Sequence, residues 1–352
     1  MSVSRNLADI ALEVIGTDAG TSNAGFGTGT LDSIASGGNY NTALGDSALT
    51  AVTTGDNNTG IGYQSGLAIT TATDNVAIGM QALKAVTTGG CFNVAIGSSS
   101  ADAVTTGDYN VAIGANALGV STTGSNNIAL GTAALGGADT TGNGNIAFGF
   151  NTGDAITTGA GNIVMGGNAY GSATTGCFNL AIGEGTMNSV VTGCMNIAIG
   201  YSAADALTSG KHNIAFGQSA LGAATNNTDN IAIGRDSLAA SVDDGDNNIA
   251  IGYTAMGAGD VSGSNNVALG TNSMDALTTG GNNVAIGTAA LGAATTGNDN
   301  IAIGQNTADA LLGGACNIAI GIESLGASTD GEDNIAIAVS YTHLTLPTIL
   351  LV

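Results

Sequence analysis

The chain has 352 residues and a formal charge of −22, with four lysine and arginine residues against 26 aspartate and glutamate residues. Such a surface repels phosphate backbones and anionic lipid headgroups, so the composition argues against nucleic-acid and membrane partners. Hydrophobic residues make up 43% of the chain and keep a fixed register, which argues against a disordered low-complexity polymer.

Residues 1–22 precede the repeats and are predicted to form an N-terminal cap or lead-in. Asp9 and Glu13 interrupt the apolar residues of this segment. The segment therefore lacks the pattern of a secretory signal peptide.

An asparagine recurs every 17 or 18 residues from residue 23 to residue 337. With this asparagine as position 0, the unit reads N-[VI]-A-[ILF]-G-x-x-A-L-x-x-x-T-T-G-x-x. The period is shorter than a βαβ unit requires and fits one coil of a stack. We predict an all-β fold, a parallel β-solenoid (β-roll) of about 18 to 19 coils. The glycine at position 4 is expected to supply a positive φ or a close backbone approach.

The repeated asparagine is predicted to form a buried ladder, in which each side-chain amide donates to one neighbouring coil and accepts from the other. A solvated turn residue is the alternative, but such a position would also admit Asp, Ser or Gly. None of these replaces the asparagine. The ladder includes Asn75, Asn93, Asn110, Asn127, Asn145, Asn162, Asn179, Asn196, Asn213 and Asn230.

Each repeat continues with an Ala-Leu pair, such as Ala82-Leu83, and a Thr-Thr-Gly corner. The pair fits either a second short strand or a single helical turn, and the surrounding Gly and Thr favour a strand. The first threonine of the corner predicts a surface column with regularly spaced hydroxyl and methyl groups. Its members are Thr53, Thr87, Thr105, Thr122, Thr140, Thr157 and Thr174.

Aspartates recur at position 9 but never on neighbouring coils; they are Asp102, Asp154, Asp205, Asp275 and Asp309. Because stacked carboxylates would need a bridging cation, this spacing argues against a calcium column. Each aspartate is predicted to be an isolated, solvated residue that discourages lateral aggregation.

The four cysteines all lie at the corner before the asparagine. Cys177 and Cys194 share one column on adjacent coils, where the expected Cα spacing permits a disulfide. Thiols that fill a small corner slot are the favoured alternative. No zinc-ligand spacing is present, and His212 occupies a corner slot that holds Phe92 or Tyr109 elsewhere, which predicts a packing role.

The strand sequence Val-Ala-Ile bears on the oligomeric state. Its Val and Ile point to one side and its Ala to the other, so both faces are apolar. A thin coil hides only one face, and the other would be an exposed stripe larger than monomers tolerate. Burial against sister chains in a homotrimer solves this. A wider, three-sided monomeric coil is the alternative.

Residues 23–337 resemble the N-x-A-I-G-x-x-A-L-x-x-x-T-T-G arrays of phage tail fibres and bacterial surface fibres. They are more distantly similar to the heads of trimeric autotransporter adhesins. The resemblance implies a trimeric β-roll shaft that holds a receptor-binding or chaperone region away from a virion or an extracellular surface. A cell-surface receptor or glycan is a possible partner, bound through a tip. Residues 338–352 contain the only proline, Pro347, and are similar to translated sequencing-adapter read-through. We expect this tail to be non-native and the tip to be missing.

The sequence therefore predicts a structural fibre shaft or adhesin segment without cofactor, metal or enzymatic activity. One alternative is an ice-binding β-solenoid that uses the threonine column. Another is a polysaccharide-acting β-helix enzyme, which would need paired carboxylates that the spaced aspartates do not provide.

Overall fold

The computed structural model describes residues 22–242, 245–294 and 296–337, which form strands and turns but no helix. The chain divides into two compact units, Met1–Thr175 and Gly176–Val352. Both units contain the repeats. The predicted lead-in, apart from Ser22, and the predicted non-native tail lie outside the described residues.

The described part of the first unit contains nine strands of three residues, one in each coil. Every strand pairs in parallel and in register with the next, as Val76 with Val94 and Ile78 with Ile96. The strands are β1 Ala24–Phe26, β2 Thr42–Leu44, β3 Thr59–Ile61, β4 Val76–Ile78, β5 Val94–Ile96, β6 Val111–Ile113, β7 Ile128–Leu130, β8 Ile146–Phe148 and β9 Ile163–Met165.

The described part of the second unit contains ten strands with the same parallel pairing, as Ala198 with Ala215. They are β10 Leu180–Ile182, β11 Ile197–Ile199, β12 Ile214–Phe216, β13 Ile231–Ile233, β14 Ile249–Ile251, β15 Val267–Leu269, β16 Val284–Ile286, β17 Ile301–Ile303, β18 Ile318–Ile320 and β19 Ile335–Ile337. The predicted all-β, parallel β-solenoid fold is confirmed in each unit.

The Ala-Leu pair lies in a turn, so the expectation of a second strand there is wrong. Gln81 and Leu83 adopt φ values of 60° and 48°, in the left-handed region, and Ala82 lies between them. Left-handed residues cannot continue a strand. They reverse the chain within a few residues while the N–H of Leu83 still bonds to the carbonyl of Ser100 on the next coil, at 3.0 Å.

The core of each coil is thin and repeats from coil to coil. In the coil that begins at Asn75, the side chains of Ala77, Ala82, Leu83 and Val86 are fully buried. The alanine of the strand therefore points inward, and the small residues at positions 2 and 7 leave room for one leucine per coil.

The glycine at position 4 combines both features expected of it. Gly131 has a φ of 131°, and a Cβ atom there would lie 2.3 Å from the carbonyl oxygen of Gly149 on the next coil. The same residue in other coils repeats the conformation, so glycine carbonyls and Cα atoms form a close-packed column that excludes every side chain.

Candidate functional site

The buried asparagine ladder is present as predicted. Asn110 donates its backbone N–H and its Nδ2 to the Oδ1 of Asn93, at 2.9 and 3.1 Å. Its Nδ2 also donates across its own coil to the carbonyl of Gly124, at 2.9 Å. In the second unit, Asn196 bonds to Asn179 at 2.9 and 3.1 Å. Because each amide closes its coil and links two coils, the ladder is a structural element rather than a ligand site.

Several threonines of the predicted column use their hydroxyl groups within the fold. The Oγ1 atoms of Thr53, Thr105 and Thr157 each donate to the backbone carbonyl of the next coil, at 3.1 Å. The Oγ1 of Thr122 donates to the carboxylate of Asp139 at 2.8 Å. These hydroxyl donors are therefore already bonded and not available as a free array.

The prediction that Thr140 belongs to the surface column is wrong. Its side chain is buried, and its Oγ1 donates to the carbonyl of Ile156 at 2.9 Å. The backbone shows which residue takes its place, because the N–H of Thr141 bonds to the carbonyl of Thr157 on the next coil, at 2.8 Å. Thr141 instead donates its Oγ1 to the carbonyl of Thr157, at 3.4 Å.

The position 9 aspartates are partly buried rather than fully solvated, which corrects the expectation from the sequence. Burial raises the pKa of each carboxyl above its ordinary value, while hydrogen bonds from backbone N–H groups lower it. The aspartates stay on separate coils. Within the described residues, no group of three or more His, Cys, Asp and Glu side chains could hold a metal ion.

The cysteines are thiols, and none of the described residues forms a disulfide. Cys194 Sγ accepts the backbone N–H of Cys177 at 3.3 Å, and Cys91 Sγ accepts that of Thr73 at 3.4 Å. His212 does not fill a packed slot as predicted. It lies on the surface with its Nδ1 at 3.2 Å from the Oδ1 of Asp229.

In several coils of each unit a side-chain acceptor lies two residues before the asparagine, and this column was missed in the sequence. Asp56 Oδ1 accepts the backbone N–H of Asn39 at 2.6 Å, and Asp108 Oδ1 accepts that of Cys91 at 2.7 Å. Asn143 Oδ1 accepts the backbone N–H of Ser125 at 2.7 Å. The recurrence of Asp, Asn, Ser and Cys at this position was the available signal, because these short side chains all accept a hydrogen bond from a nearby N–H.

The residues at positions 1 and 3 of the strands form what we call the outward strand face. None of the 19 strands among the described residues has a charged residue there. Exposed members in the first unit are Phe26, Leu44, Ile96, Ile113, Phe148, Ile163 and Met165, and in the second unit Ile197, Phe216, Ile233, Leu269, Ile286, Ile301, Ile303, Ile335 and Ile337. Each unit therefore presents a row of apolar strand residues to solvent.

Aromatic side chains border the outward strand face. The rings of Phe92 and Tyr109, just before two strands, stack in parallel with their centroids 4.9 Å apart. Just after two strands, the Arg235 guanidinium lies 4.4 Å from the centroid of the Tyr253 ring. The Phe92 and Tyr109 rings widen the apolar surface, whereas the Arg235 guanidinium adds a positive charge that the Tyr253 ring stabilises.

Comparison with protein-family models, curated proteins and solved structures finds no match. In the described part of the chain, no helix has the length and hydropathy needed to span a membrane.

Proposed function

We propose that this chain is a structural fibre segment in which the outward strand faces of sister chains pack together. The observation that carries the proposal is the uncharged, half-exposed outward strand face, with Leu269 and Ile286 exposed by 37% and 39%. A continuous apolar surface of this kind is uncommon on a monomer and is typical of an interaction site.

The charge distribution supports self-association. The chain carries a formal charge of −22, yet the outward strand face has no charged residue in any described strand. The apolar faces can therefore meet while the acidic positions remain in water. Three copies related by a three-fold axis would close the assembly, so a homotrimer is the proposed state.

The proposed role is that of a rigid spacer in a phage tail fibre or a bacterial surface fibre, on a virion or an extracellular surface. The receptor or glycan would be bound by another part of the fibre. An ice-binding role is less well supported because the hydroxyls of Thr53 and Thr105 donate to backbone carbonyls. A polysaccharide-acting enzyme is also less well supported, since the position 9 aspartates lie on separate coils.

The test compares two double variants. One adds two charges to the outward strand face, and the other adds two charges to another exposed surface of the same two coils. Light scattering on the full chain should give three times the mass of one chain. The double variant Leu269→Asp/Ile286→Asp should run as a monomer, because two buried carboxylates per chain would oppose association. The control Thr279→Asp/Thr296→Asp alters exposed threonines and should keep the wild-type mass.

Thermal melts followed by circular dichroism would show that both double variants are folded. A wild-type chain that stays monomeric at all concentrations would overturn the proposal.

A further inference from the structure

Cys177 and Cys194 are the one pair of cysteines among the described residues that share a column on successive coils. Two sets of contacts fix their register. Asn196 bonds to Asn179 at 2.9 and 3.1 Å, and the N–H of Met195 bonds to the carbonyl of Cys177 at 3.0 Å. Neighbouring strands in such a stack lie about 4.8 Å apart, and disulfides join Cα atoms that are about 4.4 to 6.8 Å apart. The backbone spacing therefore suits a disulfide.

The sulfur of Cys194 already lies against the residue it would bond to. Cys194 Sγ accepts the N–H of Cys177 at 3.3 Å and lies 3.9 Å from the carbonyl oxygen of Thr192. Both cysteines are only partly buried, so a small reagent can reach them. Neither cysteine contributes to the outward strand face, which makes this pair independent of the proposed packing of chains.

We propose that Cys177 and Cys194 form a redox-active dithiol that low-molecular-weight disulfides convert to an intramolecular disulfide between successive coils. One cysteine thiolate attacks a sulfur of the small disulfide and releases one small thiol. The second cysteine thiolate then attacks the mixed disulfide and releases the other. Two protein thiols and one small disulfide thus become one protein disulfide and two small thiols. The new bond closes the loop 177–194 and resists separation of the two coils.

Cys91 provides an internal control in the same column. Its Sγ accepts the N–H of Thr73 at 3.4 Å, which matches the contact between Cys194 and Cys177. The residues in this column on the two adjacent coils are Thr73 and Asp108, so no second thiol is in register. The substitution Thr73→Cys should therefore create a second pair with the same geometry, and wild-type Cys91 should stay reduced.

The experiment treats the native full-length chain with oxidised glutathione, alkylates the remaining thiols and counts them. The four thiols of the chain should fall to two. Digestion before aspartate and after glutamate should yield the peptides 154–184 and 185–204, because Glu184 separates the two cysteines. These peptides should stay linked until a reductant is added. The oxidised chain should keep the mass of one chain on a denaturing, non-reducing gel and melt several degrees higher than the reduced chain.

The variants Cys194→Ser and Thr73→Cys complete the test. Cys194→Ser should lose the linked peptides and the rise in melting temperature, and Thr73→Cys should gain a linkage to Cys91. The proposal would be overturned if the wild-type chain kept four thiols, if Cys91 took part in the wild-type linkage, if the linkage joined two chains, or if Thr73→Cys remained reduced.

Discussion

One asparagine per coil forms the buried side-chain hydrogen bonds that recur between successive coils. Asn283 illustrates its five bonds. It donates its N–H and its Nδ2 to Asn266 Oδ1 at 2.9 and 3.1 Å, and its Nδ2 also donates to the Gly297 carbonyl at 2.8 Å. Its Oδ1 accepts from Asn300 at 2.9 and 3.1 Å. Among the standard amino acids, no other side chain of similar size has both a hydrogen-bond donor and a hydrogen-bond acceptor at these two places.

Replacing Asn283 with alanine should lower the free energy of unfolding by about 1 to 3 kcal/mol, because buried donors of Asn300 and the Gly297 carbonyl lose their partner. Denaturant-induced unfolding followed by circular dichroism would measure the change. The control Thr279→Ala, at an exposed position in the preceding coil, should stay within about 0.5 kcal/mol of wild type. If both variants lost the same free energy of unfolding, the Asn283 amide would contribute no more to stability than a surface residue.

The three-residue strand and its glycine are the smallest element that repeats. At position 4 the chain leaves the strand with a φ that only glycine adopts readily, and the carbonyl of the next coil occupies the space of a Cβ atom. Gly131 has a φ of 131° and this close approach to Gly149, whereas a Cβ atom at Gly167 would meet nothing within 4 Å. The backbone therefore requires glycine at position 131, whereas no close contact requires it at position 167.

Gly131→Ala should destabilise the first unit by at least about 1 to 3 kcal/mol, since it combines a strained φ with a steric clash. Gly167→Ala should be nearly neutral or slightly stabilising, because alanine reduces the freedom of the unfolded chain. Melting temperatures of the two variants would test this contrast. If Gly167→Ala proved the more harmful of the two, the steric explanation would be wrong.

The strand, the ladder and the position 4 glycine could be predicted because each depends on contacts between identical positions of successive coils. The left-handed conformation of Leu83 could not, because leucine seldom adopts a positive φ and no local composition reveals it. Thr140 was misplaced because the Thr-Thr-Gly motif alone does not fix which of its threonines faces inward. The partial burial of Asp205 was missed because it depends on neighbouring coils rather than on its own repeat.

At the scale of the whole molecule, the acidic residues work against folding as the pH rises. Burial raises the pKa of Asp102, Asp154, Asp205, Asp275 and Asp309 above the ordinary value of 3.8. The folded state therefore binds protons more tightly than the unfolded state. The stability this contributes is fully present below pH 3.8 and is lost as the pH rises through the folded pKa values. The formal charge of −22 at pH 7 adds general repulsion in the same direction.

Replacing the five position 9 aspartates with asparagine should raise the melting temperature at neutral pH and flatten its decline between about pH 4 and pH 7. Below the ordinary aspartate pKa the variant and the wild type should melt together, which provides the matched control. Calorimetry across this pH range would measure the two curves. A variant that melts lower than wild type at neutral pH would contradict the prediction.

The N–H bond repeated along the asparagine ladder has a consequence for how such a chain can change its length. Within either unit, coils of 17 and of 18 residues keep the same bond from the asparagine N–H to the Oδ1 of the preceding asparagine, as at Asn110 and Asn127. The side-chain Nδ2 differs, because in the 18-residue coil Asn127 donates it across its own coil to Gly142 rather than to Asn110. A duplicated or deleted repeat would leave the N–H bond of all remaining coils unchanged. Unequal recombination between repeats can therefore lengthen or shorten the gene one coil at a time while each new junction still joins two asparagines, so the length of the solenoid is open to selection.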